Sequence, residues 1–130
     1  GLSHAQTNLV RQDQYIYQEN DSIDAIFYLC KGAAGFVLPF RQNIVYVEID
    51  EGDDFGQVDI LSCSIDEECE VQDIFDDVDS LKRQFTVQAL VNCELMSLST
   101  DSLKKMSQEF YDAFVSLFSL AKIRLERLLK

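Results

Sequence analysis

The feature that most constrains the fold is a change in the spacing of apolar residues along the chain. Before Ser99 these residues form short runs that alternate with polar ones or are rich in β-branched and aromatic types, with turn residues between the runs. The runs are "QYIYQEND", "IDAIFYLC", "AAGFVLPF", "NIVYVEI" and "QFTVQALVNCELMSLS". Strands so short and so closely spaced are typical of an antiparallel sandwich or barrel.

After Ser99 the spacing becomes helical. Ser99 or Thr100 can cap a helix, with Asp101 in its first turn. Further along, apolar residues follow an i, i+4, i+7, i+8 pattern, which indicates a helix with one apolar stripe, at Phe110, Phe114, Leu117, Phe118, Ala121, Leu125 and Leu128. Strands followed by one or two helices predict an α+β fold, with the helices packed at one end of the β unit.

Length and charge exclude several classes of function. The chain has 130 residues and a net charge of −12, which fits a single domain. Proteins bind nucleic acids and anionic membranes through clustered Lys and Arg, so we expect neither as a partner of this acidic chain. No stretch approaches the ~20 apolar residues of a membrane helix. The N-terminal "GLSHAQTN" lacks the apolar core of a secretory signal.

An acidic insertion at residues 62–82 interrupts the strand pattern. It reads "SCSIDEECEVQDIFDDVDSLK", a composition typical of a solvated loop. Calcium is a weaker alternative, because no Asp-x-Asp-x-Asp-Gly loop ending in Glu is present. The four cysteines, Cys30, Cys63, Cys69 and Cys93, lack zinc-site spacing, and His4 is the only histidine. We therefore expect free thiols, no metal and a reducing compartment.

Two motifs, taken with the order of the elements, carry a resemblance to a known family. Stretch 52–56 (GDDFG) is similar to a Gly-Asp-x-Phe-Gly-Glu turn, and stretch 83–89 (RQFTVQA) to an Arg-x-Ala-x-Val-x-Ala strand. Both belong to the pattern of the cyclic-nucleotide-binding domain, a β-roll followed by a lid helix, which this chain resembles. "FVLP" and "RQFTVQAL…NCEL" look most like the domains in cytoplasmic tails of voltage-gated, cyclic-nucleotide-gated-type cation channels, including potassium channels.

The resemblance covers about residues 10–130 and implies how they are organised. An antiparallel, jelly-roll-like β-roll is expected at 10–98, interrupted by the acidic insertion. Helices are expected at 100–130, and residues 1–9 are expected to be a tail or a remnant of tag removal.

The resemblance also implies a ligand site. In that family a Gly lets the backbone approach the sugar-phosphate, a Glu accepts a hydrogen bond from the ribose, and an Arg pairs with the cyclic phosphate. Carried onto this chain, these roles imply contacts at Gly56, Gln57, Val58, Arg83 and Gln84. The implied ligand is cAMP or cGMP, with no other cofactor.

Several residues depart from the family pattern and leave alternatives open. Gln57 stands where the family has Glu, and Asp59 stands where a small Ala usually presents its amide to the phosphate. A carboxylate a few ångström from a phosphate repels it by about 1–4 kcal/mol. Arg83 therefore either binds phosphate or forms a salt bridge to the acidic insertion, and Gln57 either contacts ligand or is only a turn residue. The helical stripe either packs on the core or also closes over a ligand.

We expect a regulatory domain and not an enzyme, because no nucleophile–base pair or Gly-x-x-x-x-Gly-Lys motif is present. The resemblance implies a domain on the cytoplasmic face of a cation channel that senses cAMP or cGMP and biases gating. Its partners would be the rest of the channel polypeptide and neighbouring subunits. The alternative is a degenerate homology domain that no longer binds cyclic nucleotide and serves as a structural or subunit-interaction module. A kinase regulatory subunit and a bacterial-type transcription regulator are less favoured.

Overall fold

The computed structural model describes residues 6–62, 81–109, 112 and 123–129. Predictions for the acidic stretch 63–80, with Cys63 and Cys69, lie outside the described residues. So does most of the apolar stripe that begins at Phe110. These predictions remain predictions.

Within the described residues the chain forms short strands first and helices last. The strands are β1 (Gln6–Val10), β2 (Tyr15–Tyr17), β3 (Ala25–Lys31), β4 (Ala34–Leu38), β5 (Ile44–Ile49), β6 (Asp54–Phe55), β7 (Thr86–Ala89) and β8 (Cys93–Ser99). A 3₁₀ turn covers Pro39–Arg41, and the α-helices are α1 (Val58–Ser62) and α2 (Thr100–Glu109). Residues 123–128 are also helical, and we call them the terminal helix.

The described strands form two antiparallel sheets of four strands each, in the orders β1-β8-β3-β6 and β2-β7-β4-β5. Successive strands from β1 to β4 alternate between the two sheets, as in a jelly roll. In the second sheet Phe36 of β4 lies between Val87 of β7 and Val47 of β5. This arrangement confirms the predicted α+β class and its jelly-roll-like β unit.

The core lies between the two sheets. Its centre contains Leu29, Phe36, Val87 and Leu95, which are 0–1% exposed. Full burial of one such side chain stabilises a fold by about 1.5–3 kcal/mol. Leu125 of the terminal helix belongs to the same cluster, so the described end of the apolar stripe does pack on the β unit.

The first strand lies where the sequence predicted a tail. β1 pairs along its whole length with β8, from Gln6 opposite Ser97 to Val10 opposite Cys93. Leu9 is 82% exposed, so side-chain burial contributes little to holding this strand. The backbone ladder and a 2.9 Å hydrogen bond from Asn8 Nδ2 to Ser97 Oγ hold it instead. A strand whose side chains are exposed has no alternating apolar pattern, so the sequence pattern did not predict it.

The helix predicted after Ser99 begins where expected. The Ser99 hydroxyl accepts a hydrogen bond from the backbone N–H of Ser102, at 3.1 Å, and so caps α2. Leu103 on its inner face is fully buried.

The two described cysteines are free thiols, as predicted. Cys93 is buried and its Sγ lies 3.3 Å from the carbonyl oxygen of Ala33. Cys30 is only half-buried, because its side chain alternates with the core-facing Leu29.

Candidate functional site: a buried ion pair behind the glycine turn

The glycine turn, residues 50–57, connects β5 to α1 and uses its own carboxylates to bind backbone N–H groups. Asp53 Oδ2 accepts a hydrogen bond from the N–H of Asp50 at 2.8 Å. Glu51 Oε1 accepts one from the N–H of Gly32 at 3.0 Å. Part of the negative charge in this stretch therefore shapes the turn itself.

Gly56 brings the end of this turn against Arg83. Its φ is +103°, a left-handed conformation that glycine adopts without steric cost. A Cβ at this position would lie 3.3 Å from Arg83 Nη1 and 3.4 Å from the Cα of Ile26. A larger residue here would therefore combine a strained φ with a tight contact against the guanidinium.

Arg83 is the largest fully buried side chain of the described residues, with 2% exposure. Its Nη1 donates to the carbonyl oxygen of Gly56 at 2.7 Å and to Asp59 Oδ2 at 3.0 Å. Its Nη2 donates to the carbonyl oxygen of Ala25 at 2.5 Å. The guanidinium also lies 4.0 Å from the ring centroid of Tyr17, within the range of a cation–π interaction.

Asp59, in α1, is the anionic partner of Arg83 and is completely buried. Its Oδ1 accepts hydrogen bonds from the backbone N–H groups of Gln84, at 2.7 Å, and Phe85, at 3.1 Å. Burial raises the pKa of Asp59, while the charge of Arg83 and the two backbone N–H groups act in the opposite direction. The carboxylate thus takes donors from three consecutive residues, 83–85.

Three aromatic rings form one wall of this site. Tyr17 stacks with Phe27 at 6.0 Å and with Phe55 at 6.4 Å, and the two phenylalanines lie 5.4 Å apart. The Tyr17 hydroxyl is buried without a hydrogen-bond partner in the described part of the chain. Its burial, and then the charge of Asp59, raise the pKa of Tyr17 well above 10.

The terminal helix docks on the outside of the glycine turn. Arg124 Nη1 donates to the carbonyl oxygen of Asp54, and its Nη2 lies 3.7 Å from Asp53 Oδ2. The cleft at this junction has a volume of about 180 Å³, below the ~300–1,000 Å³ that is usual for small-molecule sites. Burial raises the pKa of Asp54, against the effect of a hydrogen bond from the Gln57 side chain.

The structure brings some of the predicted ligand residues together and separates others. Gly56 and Arg83 are in direct contact, and the backbone of Gln84 joins them through Asp59. Val58 faces the core at 1% exposure. Gln57 is buried with its side chain bonded to Asp54, as a turn residue would be.

For Arg83 the alternative interpretation, an ion pair, describes the contact seen. The carboxylate belongs to Asp59, which precedes the acidic insertion at 62–82. The sequence signalled Asp59 only as a charge that would oppose a phosphate. Nothing in the sequence pattern indicated the roles of Tyr17 and Arg124.

The comparisons with known proteins bear on the fold. No protein-family model matches the sequence, and no curated protein matches it. Among solved structures, the chain is similar to the c-di-GMP-responsive global regulator CLP of Xanthomonas campestris, with a TM-score of 0.68 and 16% identity over 98% of this chain and 56% of CLP. It is also similar to a putative cyclic nucleotide-binding protein from Geobacter metallireducens, with a TM-score of 0.64 and 13% identity over 97% and 80% of the two chains.

A third similar structure is the C-linker and CNBHD of zELK channels, crystallized in the presence of cAMP. Its TM-score is 0.60, with 19% identity over 88% of this chain and 49% of the other. The chain has the cyclic-nucleotide-binding-domain fold. At such identities the likeness establishes the fold alone, and this chain spans only about half the length of CLP and of the zELK structure. Among the described residues no helix is long and apolar enough to cross a membrane.

Proposed function

We propose that this chain is a non-enzymatic regulatory domain that works without a bound cyclic nucleotide and acts through contacts with the rest of its polypeptide or with neighbouring subunits. One observation carries the proposal. The Arg83 guanidinium, which would receive the cyclic phosphate, is already neutralised inside the protein by Asp59 at 3.0 Å.

The cost of displacing this partner is large. A nucleotide phosphate that took Arg83 would leave the fully buried Asp59 without its cation, and breaking a buried ion pair costs about 3–5 kcal/mol. That cost corresponds to a loss of affinity of roughly 100-fold to several thousand-fold. The Asp59 carboxylate would also repel the incoming phosphate. A ligand that binds at about 10 μM elsewhere would therefore bind here at about 1 mM or weaker.

The parent protein that we propose is a cation channel, with this domain on its cytoplasmic face. The motifs at 52–56 and 83–89 support this proposal through their resemblance to channel domains, and so does the similarity to the zELK structure. The similarity to CLP offers a regulator of gene expression as a second parent. The net charge of −12 disfavours direct contact of this domain with DNA.

The rival function is a sensor of cAMP or cGMP. The contact between Arg83 Nη1 and the carbonyl oxygen of Gly56 supports this rival, because the family resemblance implies that both residues bind the ligand. The two functions differ in one measurable quantity, the affinity of the unmodified chain for cyclic nucleotide.

Calorimetric titration of the unmodified domain with cAMP and with cGMP tests the proposal. We expect no binding heat up to millimolar ligand and no change in melting temperature at 1 mM ligand, a concentration of about the order set by the displacement cost. Binding at high-micromolar concentration or tighter would overturn the proposal and establish the sensor.

A further inference from the structure

We propose that the donors around Asp59 form a complete site for a small oxyanion, and that Asp59 is the anion built into it. Removing the Asp59 carboxylate then opens a site that binds formate or a phosphate group from solution. The inference rests on the proposed function in one respect, that Asp59 and not a nucleotide is the native partner of Arg83.

The donor set suits an oxyanion of any origin. Arg83 Nη1 and the N–H groups of Gln84 and Phe85 converge on one carboxylate at 3.0, 2.7 and 3.1 Å. A guanidinium beside consecutive backbone N–H groups is a common arrangement for binding carboxylate and phosphate oxygens. None of these donors belongs to α1, which carries Asp59.

The donors are held in place by contacts that do not involve Asp59. The Arg83 guanidinium is fixed by the carbonyl oxygens of Gly56 and Ala25 and by the Tyr17 ring. The Arg83 backbone is fixed by two hydrogen bonds to the loop between β2 and β3. Its N–H donates to the carbonyl oxygen of Asp21, and its carbonyl oxygen accepts from the N–H of Asn20, both at 2.8 Å. The site should therefore keep its shape when the carboxylate is removed.

Two polar atoms on the side chains beside the ion pair make no hydrogen bond. Arg83 Nε and the Tyr17 hydroxyl are buried without hydrogen-bond partners in the described part of the chain. Both belong to side chains in direct contact, at 4.0 Å between guanidinium and ring. A phosphate or sulfate has four oxygens where a carboxylate has two, so the experiment below includes tetrahedral anions as well as formate.

Charge supplies the reason why an anion would enter. Arg83 is 2% exposed, and a buried guanidinium without a counter-charge is strongly unfavourable. In Asp59→Ala the chain keeps this buried cation and loses its anion. The substitution also removes the atoms of one formate ion, so that formate fits the vacated volume and phosphate requires some widening.

The experiment compares melting temperatures of the unmodified chain, Asp59→Ala and Glu48→Ala. Glu48→Ala is the control for the loss of one negative charge, because Glu48 is exposed on β5. Each is measured in sodium chloride, formate, phosphate and sulfate at one ionic strength. We expect Asp59→Ala to melt roughly 10 °C lower in chloride. Formate at tenfold its dissociation constant should then raise its melting temperature by about 4 °C. The unmodified chain and Glu48→Ala should not distinguish formate from chloride.

The outcomes separate this inference from the proposed function. Stabilisation of Asp59→Ala by formate, with or without phosphate, supports the oxyanion site. Stabilisation by phosphate or sulfate beyond their general effect on the unmodified chain identifies tetrahedral anions as ligands. The same response to the four salts in Asp59→Ala as in the unmodified chain would overturn it. Binding of cAMP by the unmodified chain overturns the proposed function instead.

A second variant covers the case in which Asp59→Ala does not fold. Asp59→Asn keeps the volume of the side chain but loses its charge and turns an amide N–H toward a donor. It should melt well below Glu48→Ala. An Asp59→Asn variant as stable as Glu48→Ala would show that the site needs no anion and would overturn the inference.

Discussion

Replacing Tyr17 with Phe should stabilise the domain, although Tyr17 lies in the wall of the candidate site. Tyr17 is 5% exposed and its hydroxyl has no hydrogen-bond partner among the described residues. The stabilising contacts of Tyr17 come from its ring, which stacks on Phe27 and Phe55 and faces the Arg83 guanidinium. Phe keeps the ring and removes only the buried oxygen.

The magnitude follows from these contacts. An unsatisfied buried polar group costs about 1–3 kcal/mol, and a Phe ring is as good a partner for stacking and only slightly weaker for a cation. We expect a net gain in the free energy of unfolding of about 1 kcal/mol. In a chain of 130 residues this gain corresponds to a rise of roughly 3–5 °C in melting temperature.

Urea unfolding at neutral pH, followed by circular dichroism, measures the difference directly. Tyr17→Leu is the matched control. It also removes the hydroxyl but loses the ring, so it should destabilise by about 2–4 kcal/mol. A Tyr17→Phe variant less stable than the unmodified chain by more than about 1 kcal/mol would mean that the hydroxyl is bonded, and the reasoning would fail.

Three further predictions follow from the same contacts. Gly56→Ala should destabilise by about 1–3 kcal/mol, measured by urea unfolding, because its φ is +103° and a Cβ would crowd Arg83. Arg124→Ala should lower the free energy of unfolding by about 1–2 kcal/mol in the same assay. Its control is Arg127→Ala, which should change it by no more than about 0.5 kcal/mol, because Arg127 is exposed and makes no hydrogen bond or ion pair in the described residues. Equal losses in the two variants would contradict the docking contact. Because the folded-state pKa of Tyr17 is raised, the stability from its neutral phenol is complete below about pH 10 and is lost as pH rises toward the folded pKa. Unfolding above about pH 10 should therefore be delayed in Tyr17→Phe, and an unchanged alkaline midpoint would contradict the burial of this phenol.

The features that could be predicted from the sequence are those that depend on residues close together along the chain. The glycine turn was found because only glycine tolerates a φ such as that of Gly56. Most strands were found because their residues alternate, and α2 because Ser99 can cap it. β1 was assigned to a tail because an exposed strand held by backbone bonds leaves no apolar pattern.

The contact between Asp59 and Arg83 could not be predicted from the sequence, because the two residues are far apart along the chain. Asp59 and Arg83 are 24 positions apart, and the acidic insertion lies between them. The sequence gives the charges of the two residues but not their distance, so Asp59 was interpreted as opposing a phosphate and not as replacing it. Whether a carboxylate repels a ligand or substitutes for it depends on which donors it reaches, and here these are residues 83–85.

An anion that belongs to the chain changes how such a domain can be regulated. A diffusible ligand shifts a conformational equilibrium through its concentration and its different affinity for the two states. Under the proposed function Asp59 is the permanent partner of Arg83, so no ligand concentration would set the occupancy of the Arg83 site. Its occupancy depends instead on the position of α1, which carries Asp59 and leads directly into the acidic insertion. A partner that displaced α1 would break the ion pair at a cost of about 3–5 kcal/mol. A partner that supplied this free energy would move a two-state equilibrium by a factor of roughly 100 to several thousand. Under the proposed function, such a contact at α1 would take the place of the nucleotide as the signal.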